Sequence, residues 1–435
     1  MKNTEIIILA AGVFLAVTLI LVSLLLWARK KLAPGGRVKI KINDDRILDV
    51  DSGSSLLSTL GSEKIFLPSA CGGQGTCGMC KCRVISGGGA VLPTETPYFT
   101  RGQIKDSWRL ACQVKVRSDM DILVPEEIFG IKKWECEVVS NYNVATFIKA
   151  FVVKLPEGEN LKFRAGGYVQ IDVPAVEVDY RDIDISPAPD DPAGPDKYRS
   201  DWDAMHLWDL RMVNPEPVFR AYSMANHPAE GNIIMLTVRI ATPPYDAKAG
   251  GFMKVNPGIC SSYIFSRKPG DKITVSGPYG EFFINEKSDA EMVYIGGGAG
   301  MAPLRSHIMH LLETEHSKRK ITFYYGGRSR KELFFEKDFR ELEKKYPNFK
   351  FYEVLSSPEK GDDWKVKKSA DDPEGDGFIG FVHDAVIKNH LQGHPAPEDI
   401  EFYFCGPPMM NKAVVKMCDD WGVPRENVHY DDFGS

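Results

Sequence analysis

The sequence predicts a multidomain chain. An N-terminal transmembrane helix occupies 1–33, a small α+β unit 36–126, an antiparallel β-barrel 132–285 and a doubly wound α/β domain 290–435. Three observations carry this reading. An almost wholly apolar run, Ile6 to Trp27, lies near the start of the chain. From Lys133 strand patterns follow one another with few helix signals between them. From Met292 strand and helix patterns alternate, as they do in a parallel sheet wrapped by helices.

Composition sets the bounds. A length of 435 residues exceeds one ordinary core. A net charge of -5 argues against a nucleic-acid partner, because such proteins carry a basic footprint.

The opening run, IIILAAGVFLAVTLILVSLLLW, rises ~1.5 Å per residue as a helix and so spans a ~30 Å hydrocarbon core. Thr18 and Ser23 interrupt it harmlessly, since each hydroxyl can bond back to a helix carbonyl. Arg29, Lys30 and Lys31 follow directly, and only Lys2 precedes. The positive-inside rule then predicts a single-pass anchor with its N-terminus outside and the remaining domains cytoplasmic. A cleaved signal peptide would have a shorter apolar core and a small-residue cleavage site.

In the α+β unit, RVKIKIN and RILDV alternate as the two strands of a hairpin. LLSTLGSEKI suits a short helix, KCRVISG a strand, and further strands are expected near Val114 and Ile122. The barrel strands are KWECEVVSNY, FIKAFVVKL, YVQIDV, RAYSMAN, NIIMLTVRIA and DKITVSGPYG, punctuated by Gly and Pro. A long polar insert, 178–217, interrupts them. Trp202, Met205 and Trp208 stand out in it as large apolar side chains, so the insert is expected to dock a partner or shape an electron path. In the last domain MVYIGGG, ITFYYGGR, FKFYEVL and IEFYFCGPP read as strands. PLRSHIMHLLETE, KDFRELEKKY and HDAVIKNHL read as helices.

The most specific signal is a cysteine loop, Cys71-x5-Cys77-x2-Cys80, with Cys112 further on. Three thiolates from one tight loop and a distant fourth suit a 2Fe–2S cluster. Gly72, Gly73, Gly75 and Gly78 allow positive φ and let backbone N–H groups approach sulfur. Structural zinc is the alternative, but such sites usually pair two C-x2-C knuckles and only one is present. Cys82, Cys136 and Cys418 read as buried apolar thiols. The loop resembles that of plant-type ferredoxins, with a first gap one residue longer, which implies a ferredoxin-like (β-grasp) unit.

Arg220-Ala-Tyr222-Ser223 matches the R-x-Y-S motif of the ferredoxin–NADP reductase family. The resemblance implies that Arg220 pairs with the FAD pyrophosphate and that Tyr222 packs on the isoalloxazine. It implies that Ser223 donates a hydrogen bond near the flavin nitrogen that accepts hydride. Gly258-Ile-Cys260-Ser261-Ser262 resembles that family's second phosphate-contacting turn. Gly296-Gly-Gly298-Ala-Gly300-Met-Ala302-Pro303 follows a strand and opens a helix, where backbone can approach a pyrophosphate. It matches the family's G-x-G-x-G-x-A-P. Cys405-Gly406-Pro407 matches its C-G-P, which implies that Cys405 lies beside the nicotinamide. Phe433 resembles the terminal aromatic that covers the flavin. Tyr222, Ser223 and Cys405 are the resulting catalytic candidates. Arg328, Arg330 and Lys331 suit either a 2′-phosphate or a solvated basic patch, so the residues themselves leave the choice of NADH or NADPH open.

The order of membrane helix, ferredoxin, FAD and NAD domains resembles the family of NADH-oxidising F subunits of Na+-translocating NADH:quinone oxidoreductases, over essentially the whole chain. This implies NADH as donor, FAD, one 2Fe–2S cluster and other membrane subunits as partners. It further implies ubiquinone as final acceptor, reached through those partners, a sodium path outside this chain, and a bacterial inner membrane. Two alternatives stand beside it: the reductase component of a multicomponent oxygenase, and a membrane-tethered electron carrier with an empty flavin site.

Overall fold

The computed structural model describes residues 11–24, 36–246, 248 and 250–433, and the chain divides into two compact units between Ile131 and Lys132. Residues 11–24 are helical and exposed along their whole length. The rest of the expected membrane span, 6–10 and 25–27, lies outside the described residues. Among the described residues no helix is long and apolar enough to cross a membrane.

The first unit holds a five-stranded sheet. Its strands are β1 (Arg37–Ile42), β2 (Arg46–Asp51), β3 (Lys81–Ser86), β4 (Trp108–Leu110) and β5 (Met120–Leu123), in the order β2-β1-β5-β3-β4. β1 and β2 pair antiparallel, and β1 and β5 parallel. Alternation explains the sheet's inner face: Ile40, Ile42, Leu48 and Val50 are buried while their neighbours face out. The helix Leu56–Ser62 starts at Ser55, whose hydroxyl accepts from the Ser58 N–H at 3.2 Å, and it buries Leu56, Leu57 and Leu60. The strand expected at Val114 is not formed. After β4 the backbone curls, with Gln113 and Val114 N–H groups both donating to Leu110 O at 2.9 and 3.2 Å, and this curl carries Cys112.

In the second unit the barrel strands are β6 (Lys132–Ala145), β7 (Ile148–Lys154), β8 (Tyr168–Val173), β11 (Val218–Ser223), β12 (Ile233–Arg239) and β15 (Lys272–Tyr279). Two short hairpins stand apart from them: β9 (Val176–Asp179) with β10 (Arg211–Asn214), and β13 (Tyr245–Asp246) with β14 (Gly251–Phe252). The barrel order is β11-β8-β15-β6-β7-β12, and a bridge between Met224 and Leu236 joins its two edges. β6 bends through two irregularities, at Val138/Ser140 and Asn143/Ala145, which help it to wrap.

The insert corrects an expectation. Its apolar side chains face inward: Tyr180, Tyr198, Trp202, Leu207 and Met212 are fully buried in the barrel core, with Met205 and Trp208 packed against them. The β9–β10 hairpin closes the insert at its base, the Trp202 indole N–H donates to Thr146 O at 2.8 Å, and the Lys149 ammonium donates to Asp184 O at 2.6 Å. The large apolar groups that suggested a docking surface therefore complete the chain's own core.

The last sheet is parallel throughout: β16 (Met292–Gly297), β17 (Ile321–Gly327), β18 (Phe349–Leu355), β19 (Phe378–Ile379), β20 (Glu401–Cys405) and β21 (Val428–Asp431), in the order β19-β18-β17-β16-β20-β21. β16 and β20 are buried at every residue, as strands covered on both faces must be. The helix Glu336–Lys345 shows the matching pattern, burying Phe339 and Leu342 and turning its charges to water.

Candidate functional site

The cysteine loop brings its thiols together in two pairs. Cys71 and Cys77 Sγ lie 3.3 Å apart, and Cys80 is hydrogen-bonded to Cys112. Among the described residues no three metal-ligating side chains are grouped as a single ion would need. Two thiol pairs match the donor set of a binuclear cluster, in which each iron takes two cysteines, better than that of one tetrahedral zinc. The Cys71 thiol is drawn down to about 3, first by the hydrogen bond from Cys77 and then by the backbone N–H groups of Thr76, Cys77 and Gly75, against the effect of burial. This nest of N–H groups suits an anionic cluster.

All four loop glycines take positive φ, and Gly78 shows why one must. A Cβ there would lie 2.3 Å from Cδ1 of Tyr98, whose hydroxyl donates to Thr76 O at 2.8 Å. The Gln113 amide reaches Cys112 Sγ at 3.6 Å, and Thr94 Oγ1 donates to the same amide's oxygen at 3.1 Å. In the same unit Glu95 and Arg109 form a buried pair at 2.8 Å. Glu95 also accepts from the N–H groups of Leu92 and Leu110, and Arg109 donates to the carbonyls of Gly88, Gly89 and Ala90. Cys82, Cys136 and Cys418 are wholly buried, and burial pushes each thiol up to about 12, as expected of inert structural cysteines.

On β11, Arg220, Tyr222 and Ser223 stand opposite Ile171, Val169 and Tyr168 of β8. Arg220 makes no ion pair among the described residues; its guanidinium donates only to its own neighbour's carbonyl, Phe219 O, at 2.7 Å. A half-buried arginine so placed fits an anionic ligand. Gly258 caps the helix Ile259–Ser266. The Ser261 and Ser262 hydroxyls are committed within the fold: both donate to Gly258 O, and Ser262 also shares a 2.8 Å bond with the Tyr180 hydroxyl. Cys260 is buried beside them. What the turn offers to a ligand is therefore its backbone.

Gly296, Gly298 and Gly300 run from β16 into the helix Met301–Met309. Pro303 sits in that helix's first turn, where a missing N–H costs no intrahelical bond. Two carbonyls of the turn are tied back: Thr237 Oγ1 donates to Ala299 O at 2.9 Å and the buried Tyr325 hydroxyl to Gly298 O at 3.2 Å. A Cβ on Gly300 would lie 2.0 Å from the carbonyl oxygen of Cys405, so the glycine turn and the Cys405-Gly406 turn touch. Met410 packs over both Gly297 and Gly406. This crowded backbone cradle fits a dinucleotide.

The flavin and nicotinamide motifs meet at a residue that sequence reasoning passed over. Ser223 Oγ donates to Asp431 Oδ2 at 2.8 Å, and Asp431 on β21 stands in register with Cys405 on β20. Asn411 Nδ2 donates to Asp431 O at 3.3 Å and steadies this last strand. Burial pushes the Asp431 carboxyl up to about 6, while the Ser223 bond holds it down. Phe433 lies two residues on, with 48% of its surface exposed. Thr237 and Tyr325 were equally invisible, being polar atoms inside apolar strands. Asp431 had one signal, its place in the DDFG ending.

Comparison with known proteins identifies the domains and the family. Family models match at 40–117 (2Fe-2S iron-sulfur cluster binding domain), 205–284 (oxidoreductase FAD-binding domain) and 294–416 (oxidoreductase NAD-binding domain). The chain is 51% identical to the F subunit of the Na(+)-translocating NADH-quinone reductase of Neisseria gonorrhoeae, over 98% of this chain and 99% of that protein. It is 50% identical to the protein of the same name in Marinomonas sp., over the full length of both. Among solved structures, the cytochrome P450 reductase GcoB of Amycolatopsis aligns with a TM-score of 0.57 at 23% identity, over 91% of this chain and 98% of that one. The ferredoxin reductase in carbazole 1,9a-dioxygenase aligns at 0.55 and 22%, over 92% and 98%. These two likenesses speak to fold alone. The full-length identities settle membership: the chain belongs to the family of F subunits of the Na(+)-translocating NADH-quinone reductase.

Proposed function

We propose that this chain is the electron-input subunit of a membrane Na+-pumping NADH:ubiquinone reductase, taking hydride from NADH and delivering single electrons to partner membrane subunits. When bound, FAD would supply the exchange between two-electron and one-electron chemistry, and a 2Fe–2S cluster would supply one-electron transfer. The residues named here hold and orient these groups. Cys71 with Cys77, and Cys80 with Cys112, hold the cluster. Arg220 and the backbone of Gly258 to Ser262 hold the FAD phosphates, Tyr222 packs on the ring, and Ser223 presents its hydroxyl at the reacting edge. Gly296, Gly298, Gly300 and Pro303 shape the turn that receives the dinucleotide, while Cys405 and Gly406 wall the nicotinamide. Phe433 covers the flavin when nicotinamide is away. Residues 6–27 anchor the chain in a bacterial inner membrane, N-terminus outside, with 36–435 in the cytoplasm.

The observation that carries this reading is the bridge from Ser223 through Asp431 to the Cys405 strand, which brings the two reacting motifs to one place. The test is anaerobic titration of the purified full chain with NADH. Bleaching of flavin absorbance at one equivalent is expected. A chain that purifies with cluster but takes up no FAD would sink the reading and favour the tethered carrier.

A further inference from the structure

We propose that the insert, through Asp201, makes this site select a dinucleotide without a 2′-phosphate. The inference rests on the NADH-oxidising reading above. In doubly wound sheets the ribose next to adenine is recognised beyond the carboxyl ends of strands neighbouring the glycine turn. Here the loops after β17 and β18 occupy that place. They are stitched together, with Ser356 N–H donating to Gly327 O at 2.9 Å and Ser357 N–H to Arg328 O at 2.8 Å. The β17 loop carries Arg328, Arg330 and Lys331, the residues that by composition suit a phosphate.

The structure takes Lys331 out of that role. Its ammonium lies 2.9 and 3.0 Å from the two carboxylate oxygens of Asp201 and 3.0 Å from Glu359 Oε1. Two hydrogen bonds to Asp201 and the ion pair with Glu359 commit the ammonium within the fold. Asp201 belongs to the insert, in the helix Arg199–Ala204, and so reaches from the barrel to the nucleotide domain. Its neighbour Trp202 is wholly buried, so the helix that presents it is held in place. The Arg330 guanidinium lies 5.9 Å from the centre of the Trp364 ring, while its backbone N–H donates to Asp362 Oδ2 at 3.1 Å. Arg328 of the same loop is exposed and makes no ion pair among the described residues, while around Lys331 itself two carboxylates face one ammonium, a net negative cluster. That charge tolerates a neutral 2′-hydroxyl and repels a 2′-phosphate dianion, so discrimination comes from an added repulsive element as well as a blocked attractive one.

The test is the ratio of kcat/KM for NADPH to that for NADH, read as flavin reduction in the full chain with its cofactors. Asp201→Asn, and more strongly Asp201→Asn with Glu359→Gln, should raise the ratio by about tenfold or more, the scale of one charge-assisted hydrogen bond to the phosphate. Adding Lys331→Gln to the double variant should abolish the rise, because the freed ammonium is what meets the phosphate. Inhibition of NADH oxidation by 2′,5′-ADP should strengthen in parallel, and this readout serves for the single variant if the double one loses FAD. A domain clamp without a role in selection would change stability and leave the ratio and the inhibition unmoved; that result overturns the inference. Failure of the unaltered chain to oxidise NADH would instead sink the reading on which it rests.

Discussion

Ser223 Oγ donates to Asp431 Oδ2 at 2.8 Å across 208 positions of sequence. The bond joins the end of a barrel strand to the last strand of the nucleotide domain, and it fixes the orientation of the serine hydroxyl. Ser223→Ala is expected to slow flavin reduction by NADH about a hundredfold, the lower range for losing one positioned hydrogen-bonding group. The FAD content should stay near that of the unaltered chain. Stopped-flow absorbance measures the first and the flavin-to-protein ratio the second.

The Asp431 carboxyl is pushed up to about 6, chiefly by burial. A carboxyl whose folded value exceeds its unfolded one opposes folding when ionised. That penalty is absent below about pH 4, grows as pH rises toward 6 and is complete above it. Asp431→Asn is therefore expected to raise the melting temperature at pH 7.5, with the gain shrinking as pH falls from 6 to 4. A gain that grew on acidification would refute the assignment.

At the cluster loop, Gly78→Ala places a methyl 2.3 Å from the Tyr98 ring at a φ of +68°. The backbone alone disfavours this by ~1–2 kcal/mol, before the clash. Iron and acid-labile sulfide per chain are expected to fall to a small fraction. Tyr98→Phe, which loses only the bond to Thr76 O, should keep most of the cluster, since one neutral hydrogen bond is worth ~1 kcal/mol.

Arg109→Met leaves Glu95 buried without its partner. Breaking a buried pair on one side costs about 3–5 kcal/mol, so the first unit should lose its cooperative unfolding and its resistance to protease while FAD binding persists in the second. The double change Arg109→Met with Glu95→Leu should recover part of the loss.

Gly300→Ala sets a methyl 2.0 Å from Cys405 O, where neither turn has room. NADH oxidation is expected to fall more than a hundredfold, while reduction of the same flavin by dithionite proceeds normally. Equal loss of both would mean the flavin site itself had collapsed.

The parts of this molecule that follow a local rule were legible in the sequence. Alternation in RVKIKI, the all-apolar β16 and the Cys71 to Cys80 spacing each state their own structure within a few residues. Relationships between distant segments were not. Trp202 read as a surface group because its neighbours are polar, yet its indole lies in the barrel core against Phe265. Lys331 read as a free base because its partners Asp201 and Glu359 come from two other segments. Val114 read as a strand residue from its apolar neighbours, whereas the curl that carries Cys112 depends on N–H groups turning back to the Leu110 carbonyl.

The most direct test of the central claim is rapid-freeze EPR of the full chain after mixing with NADH, timed against flavin absorbance. The reduced 2Fe–2S signal is expected to rise only after the flavin bleaches, and to vanish when Cys77 is replaced by Ala while bleaching persists. A cluster signal that appears without flavin reduction, or a fully bleached flavin with no cluster signal in the unaltered chain, would contradict it.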